Sequence, residues 1–241
     1  MSITDNLLKI RATLPQGVTL VAVSKFHPLE ALREAYAAGQ RVFGESREQE
    51  LKVKHEAMPA DVEWHFIGHL QTNKVKAIIP YVHCIQSVDT AHLLDEVERQ
   101  AARLEAERQA AGHPRTVDVL LQVHIAREET KSGFTPEELR TLLATTDPAA
   151  RWPHVRLRGL MGMATNTDDA AQVRREFAAL AALKVEVGKL LAAQCAAEDA
   201  AARAAAFDTL SMGMSEDYPL AIEAGSTMVR IGTDIFGARE Y

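Results

Sequence analysis

The chain has 241 residues, 47% of them hydrophobic and 25% charged, with a formal net charge of −6. This balance is ordinary for a globular protein and excludes a disordered or fibrous chain. The negative charge gives no broad positive field, which argues against nucleic acid as a partner and leaves room for one small anionic ligand.

The N-terminal stretch MSITDNLLKIRATLPQG carries charges and has no apolar run long enough for a signal peptide or membrane span. Residues around Ile3 to Ala12 read as a helix. From Val18 onward, short β-rich runs alternate with helical patterns, the signature of a parallel sheet with helical crossovers. The strand candidates are 18–25 (VTLVAVSK), 41–46 (RVFGES), 64–68 (WHFIG), 84–89 (CIQSVD), 117–125 (VDVLLQVHI), 155–163 (VRLRGLMGM), 207–214 (FDTLSMGM) and 228–237 (MVRIGTDIFG). The first and fifth are nearly continuous apolar runs, as strands covered on both faces require. Eight strand–helix units predict a single (β/α)8 barrel, an α/β fold, with one extra N-terminal helix and one domain over 1–241.

The helices carry their own punctuation. Pro28 is placed at a first helical position, and Gly39 and Gly225 stand where helix ends need positive φ. From Thr90, the residues Leu93, Leu94, Val97, Ala101 and Leu104 recur at helical spacing. Thr135-Pro136-Glu137-Glu138 offers an N-cap threonine, a proline at N1 and a glutamate at N3. The alanine-rich stretch 168–206 is longer than a barrel helix needs, so two helices broken at Gly188 are expected there. The two cysteines, Cys84 and Cys195, lack Cys-x-x-Cys spacing and matching histidines, so neither zinc nor a disulfide is expected and a cytoplasmic setting follows.

A barrel of this kind builds its site at the C-terminal ends of the strands, often with a phosphate pocket after strands seven and eight. Ser211-Met212-Gly213-Met214-Ser215 runs into a helix expected near Glu216. Arg230, Gly232 and Thr233 follow on strand eight. Both loops are either ordinary caps and turns or the two halves of one anion pocket. Lys25, at the end of strand one, either reaches out to solvent or presents a desolvated amine able to form a Schiff base. His65 and His69 are four apart on a strand-then-loop stretch, which does not align them as metal ligands; core or rim positions suit them better. Asn73-Lys74, and Glu129, Lys131, Ser132 and Gly133 after strand five, read as rim contacts or solvated loop.

Taken together, the chain resembles the pyridoxal-phosphate homeostasis protein family, whose fold is similar to the N-terminal barrel of alanine racemase. The likeness rests on AVSK at 22–25, FGES at 43–46, WHFIGHLQTNK at 64–74, SVD at 87–89, TKSGF at 130–134, RGLMGM at 158–163, LSMGMSEDYPLAI at 210–222 and GSTMVRIGTDIFGARE at 225–240. It implies pyridoxal 5′-phosphate (PLP) as cofactor, held as a Schiff base on Lys25. It implies further that Ser211, Ser215, Gly232 and Thr233 bind the phosphate, that Arg230 faces the pyridine nitrogen, and that Ser46, Met161 and Gly213 add cofactor contacts. An arginine opposite that nitrogen disfavours a pyridinium and makes the ring a weak electron sink. Two departures from the family pattern stand at Ser46 and His124, where asparagine is usual.

The resemblance implies a cofactor carrier that hands PLP to apoenzymes. The alternative is a fold-type III amino-acid racemase of low activity, and a Schiff-base aldolase is the third reading. Because the sequence ends at Tyr241, just after strand eight, no second domain to supply a racemase tyrosine is expected. A monomer is expected on the same ground.

Overall fold

The computed structural model describes residues 2–128, 131–194 and 205–238. The chain opens with α1 (Ile3–Thr13), β1 (Thr19–Val23), α2 (Leu29–Ala37), β2 (Val42–Glu45), α3 (Glu48–Ala57) and β3 (Glu63–Phe66). It continues with α4 (Val75–Ile78), β4 (Cys84–Val88), α5 (Ala91–Arg103), α6 (Glu105–Ala110), β5 (Val117–Val123), α7 (Pro136–Thr145), α8 (Pro148–Arg151) and β6 (Val155–Gly162). The last elements described are α9 (Ala170–Ala193), β7 (Thr209–Ser211), α10 (Tyr218–Glu223), β8 (Met228–Ile231) and α11 (Thr233–Phe236).

The eight strands form a closed barrel in sequence order, and β8 closes onto β1 in parallel, with Leu20 opposite Val229 and Val21 opposite Arg230. This is the (β/α)8 architecture that the alternation predicts. Side-chain alternation sorts each strand into two cores. Leu20 and Ala22, Trp64 and Phe66, and Val229 and Ile231 pack outward against the helices in the main core. Val21, Cys84, Leu120, Met161 and Met228 form a separate small cluster within the barrel. Fully burying each large apolar side chain is worth roughly 1.5–3 kcal/mol, so the strand–helix layer dominates stability.

Local signals behave as their chemistry requires. Thr135 and Glu138 form a reciprocal capping box at α7, with Pro136 inside the first turn. Thr90 caps α5, which buries Leu93, Leu94, Val97 and Ala101. Gly39 and Gly225 adopt φ of +88° and +91° at helix ends. Pro28 stands one position earlier than expected, as N-cap of α2.

Three expectations change. The helix after Asp169 runs unbroken from Ala170 to Ala193, straight through Gly188, because its buried stripe of Val173, Phe177, Leu180, Leu183, Val187 and Leu191 continues on one face past that glycine. The remainder of the alanine-rich stretch, 195–204 with Cys195, lies outside the described residues, as does Glu129. The eighth strand ends at Ile231, and the apolar Ile235 and Phe236 belong to the short helix α11. The helix expected near Glu216 begins at Tyr218. Among the described residues, no helix is long and apolar enough to cross a membrane.

Candidate functional site at the C-terminal mouth

At the C-terminal ends of the strands the barrel opens into a cavity of about 690 Å³. Val23 and Lys25 line it from the end of β1, and Arg230, Gly232 and Thr233 from the end of β8. The loop after β6 contributes 163–168, the loop after β7 contributes Met214 to Asp217, and Lys131 enters from the loop after β5.

Lys25 follows β1 by two residues and is half-buried, so the desolvated amine expected at the strand end is only partly shielded. Arg230 is 4% exposed. Its guanidinium donates to Ser211 Oγ at 2.7 Å and to the Gly162 carbonyl at 3.1 Å, both neutral oxygens. Burial lowers this arginine to about 10, with the nearby Asp217 carboxylate opposing the shift, so it stays cationic at neutral pH. Ser211 in turn donates to Gln86 Oε1 at 2.6 Å, and Gln86 Nε2 donates to His65 Nδ1 at 2.8 Å. Every link runs the same way, because an arginine can only donate and a serine hydroxyl has one proton to pass on. His65 must therefore accept at Nδ1 and carry its proton on Nε2. Its burial agrees, holding the ring at about 3 and hence neutral.

The two loops expected to form an anion pocket do meet: Ser215 Oγ accepts from the Asp234 N–H, in the first turn of α11, at 3.4 Å. Gly213 makes this approach possible. It has φ +95°, and a Cβ there would stand 2.7 Å from Ala221 Cβ and 2.9 Å from Tyr218 Cα, so only glycine lets α10 pack against the Ser215 loop. Asp217 orders the same loop by accepting the Met214 N–H at 2.6 Å. At Gly232 a Cβ would lie 3.2 Å from the Val23 carbonyl, a measure of how close the ends of β1 and β8 come.

Of the nine residues expected at the cofactor, five share one cavity, Lys25, Ser215, Arg230, Gly232 and Thr233, and Lys131, expected at the rim, lines it too. The other four sit apart from its lining. Ser211 is fully buried, is absent from the cavity lining and spends its hydroxyl on Arg230 and Gln86, so here it supports the arginine. Met161 packs inside the barrel with Val21 and Leu120. Gly213 acts through the backbone. Ser46 is half-buried at the end of β2, where Gly68 packs against its main chain.

The rim holds further detail. Lys131 donates to the Ala164 carbonyl at 2.6 Å and pairs with Glu128 at 3.0 Å, tying the loops after β5 and β6 together. His124 Nε2 donates to the Glu128 carbonyl at 2.9 Å and so pins the same loop. Lys74 pairs with Glu48 at 2.6 Å. His65 points into the barrel while His69 is exposed, 3.4 Å from Asp89, and no cluster of three or more metal-ligating side chains occurs among the described residues. Sequence reasoning passed over the 163–168 wall, although every βα loop of a barrel reaches this mouth. It also passed over Gln86, whose partners are 21 and 125 residues away.

The fold and this mouth define an alanine racemase-type barrel, and a family model described as alanine racemase, N-terminal domain, matches residues 1–240. The chain is similar to the pyridoxal phosphate homeostasis proteins of Escherichia coli, 42% identical over 94% of this chain and 88% of that one, and of Haemophilus influenzae, 40% identical over 93% and 86%. Among solved structures it is similar to PipY of Synechococcus elongatus. The form without PLP gives TM-score 0.83 at 36% identity, covering 98% of this chain and 100% of that one, and the form with PLP bound gives 0.79 at 35%. An alanine racemase from E. faecalis matches at TM-score 0.62 and 19% identity, with 57% of that chain covered, a likeness of fold. The chain belongs to the pyridoxal phosphate homeostasis protein family.

Proposed function

We propose that this chain takes up pyridoxal 5′-phosphate covalently on Lys25, in a single binding domain spanning 1–241, and serves as a reversible carrier of the cofactor. The observation that carries the proposal is the meeting, in one cavity, of an amine, a buried cation whose hydrogen bonds among the described residues go to neutral oxygens, and the Ser215–Thr233 pocket. The donor set fits the ligand. A 690 Å³ cavity lies within the usual range of roughly 300–1,000 Å³ for small-molecule sites. Ser215, Thr233 and the N–H groups around Gly232 suit a phosphate, and Lys25 suits an aldehyde. The PLP-bound form of PipY, a similar chain over its whole length, supports the same ligand.

When bound, the cofactor supplies an electrophilic aldehyde, and opposite a cation its ring is a weak electron sink. Arg230 does this chain's part: fixed by Ser211 and Gly162, it holds a positive charge at the cavity that would disfavour protonation of a bound pyridine ring. That favours storage and transfer over amino-acid turnover, with cytoplasmic apoenzymes as recipients and a monomer as the working form.

The deciding experiment is borohydride reduction of the protein mixed with PLP, followed by mass mapping. Label on Lys25, lost in Lys25→Ala, supports the proposal. Label scattered over surface lysines, or confined to Lys131, overturns the attachment site. Steady turnover across an amino-acid panel would replace the carrier with a racemase.

A further inference from the structure

The main chain on both sides of Lys25 is gripped by a buried polar cluster that lies outside the cavity lining. Lys54, on α3 and 4% exposed, spends its ammonium on the Ser24 carbonyl at 2.7 Å, Glu45 Oε1 at 2.7 Å and Glu50 Oε1 at 2.8 Å. Ser24 Oγ donates to the same Glu45 oxygen at 2.6 Å. On the far side of Lys25, the Phe26 N–H donates to Glu50 Oε1 at 2.6 Å. Phe26 has φ +67°, the one non-glycine positive φ among the described residues, so this turn is strained and needs outside support.

Such a cluster is a poor way to stabilise a fold. Burial outweighs the attraction of Lys54 and raises the Glu45 carboxyl to about 7, and Glu45 Oε2 is buried with no hydrogen-bond partner. Buried ion pairs contribute little net stability against apolar replacements, but they do fix geometry. Here the geometry they fix is that of residues 24 and 26.

We infer that Glu45, Glu50 and Lys54 form a positioning clamp that holds the Ser24–Phe26 turn in its strained conformation and thereby aims Lys25 into the cavity. The inference rests on Lys25 being the attachment point, and it adds three residues that do not themselves line the cavity. None of them lines the cavity, so the clamp should govern the rate of covalent capture and leave non-covalent recognition alone.

The test uses the full chain and the variants Lys54→Met, Glu50→Ala and Glu50→Gln. Three quantities are read: the rate of borohydride-trappable labelling of Lys25 by PLP, the affinity for pyridoxine 5′-phosphate, which has an alcohol in place of the aldehyde, and amide hydrogen exchange over 24–27 without any ligand. A misaimed nucleophile should label on the order of tenfold more slowly in Lys54→Met and Glu50→Ala, with pyridoxine 5′-phosphate affinity within about twofold. Exchange over 24–27 should quicken in both, whereas Glu50→Gln, which keeps the acceptor oxygen, should stay near the parent on every readout. Should Lys54→Met fail to fold, Glu50→Ala decides alone, since Glu50 is 22% exposed and tolerates truncation better. Unchanged labelling and exchange in the altered chains overturns the clamp, as does a proportional fall in both labelling and pyridoxine 5′-phosphate binding. An unmodified chain that never labels at Lys25 instead defeats the attachment site, and the ligand-free exchange still reports on the clamp.

Discussion

The two mouths of the barrel hold their arginines differently. At the N-terminal mouth, a cavity of about 540 Å³ is ringed by Arg108, Asp118, Arg156, Arg158 and Asp208. Protein partners take up each of its cations. Arg156 pairs with Asp118 through two bonds of 2.6 and 2.7 Å, and Arg158 reaches Asp118 at 3.2 Å and Asp208 at 2.9 Å. Arg108 is wrapped by the carbonyls of Ile79, Val82, Pro114 and Thr116. At the C-terminal mouth, Arg230 makes no ion pair among the described residues and feels Asp217 only through space. Arg156 and Arg158 are neutralised by carboxylates and Arg108 has its donors closed off by four carbonyls, so these three belong to the scaffold, whereas Arg230 bonds two neutral oxygens, lines the cavity and keeps donors and field for a ligand. The volumes are similar; the use of charge tells the mouths apart.

The largest expected effect tests the ligand side of this contrast. Arg230→Met keeps the bulk but removes the cation, and PLP affinity should fall by at least tenfold, about 1.4 kcal/mol. Stability should change by less, about 1 kcal/mol, because relief of the guanidinium's desolvation offsets the lost bonds to Ser211 and Gly162. Paired titration and thermal melts check both numbers. A large Tm loss with intact affinity would make Arg230 a structural residue like those of the other mouth.

Asp118→Asn tests the scaffold side. It strips the shared partner from Arg156 and Arg158, and the Asp118 side chain is only 19% exposed, so about 1–2 kcal/mol should be lost. In a domain of this size that is a Tm drop of roughly 2–8 °C. PLP affinity should not move, and an equal fall in affinity would show that the mouths are coupled.

A polar thread does connect them, since His65 lines one cavity and Arg230 the other, with Gln86 and Ser211 between. It gives the protein an acid weakness whose sign follows from the ring's burial. His65 titrates near 3 when folded, below its ordinary value, so the unfolded chain takes up the proton first. The stability it confers is complete above about pH 6.5 and is lost as pH falls from there towards 3. In His65→Asn, which can still accept from Gln86, Tm should start lower at neutral pH and decline less steeply over that window. Parallel Tm-against-pH curves would mean that His65 does not govern acid unfolding.

Eight strands, the barrel and five cavity residues were legible because each leaves a local signature: an apolar run, a capping box at Thr135, a lysine at a strand end, glycines where loops turn. What was not legible depends on direction and distance. Ser211 and Ser215 look alike in sequence, yet Ser211 lies on β7 with its side chain turned into the barrel, and Ser215 stands on the loop above. Gln86, Lys54 and Glu50 act through partners 21 or more residues away, and Glu50 and Lys54, four apart on α3, read by themselves as an ordinary helix-surface pair. A four-residue helix such as α11 is too short to show a period, so Ile235 and Phe236 read as the tail of a strand.

Gly188 offers the smallest effect and a control remote from both mouths. Glycine breaks helices in a sequence reading because it lacks a side chain to restrict the unfolded chain. Within α9 it sits in mid-helix between the buried Val187 and Leu191, and among the described residues a Cβ there would meet only Phe207 Cδ1, at an ordinary contact distance of 3.9 Å. Packing on either side overrides the local preference, and the glycine is left as a cost. Gly188→Ala should therefore raise stability by about 0.5–1 kcal/mol, visible as a Tm gain of roughly 1–4 °C. Neither PLP affinity nor the rate of labelling at Lys25 should change. A loss of stability instead would mean that α9 needs its glycine, and the break expected from sequence would be restored at that position.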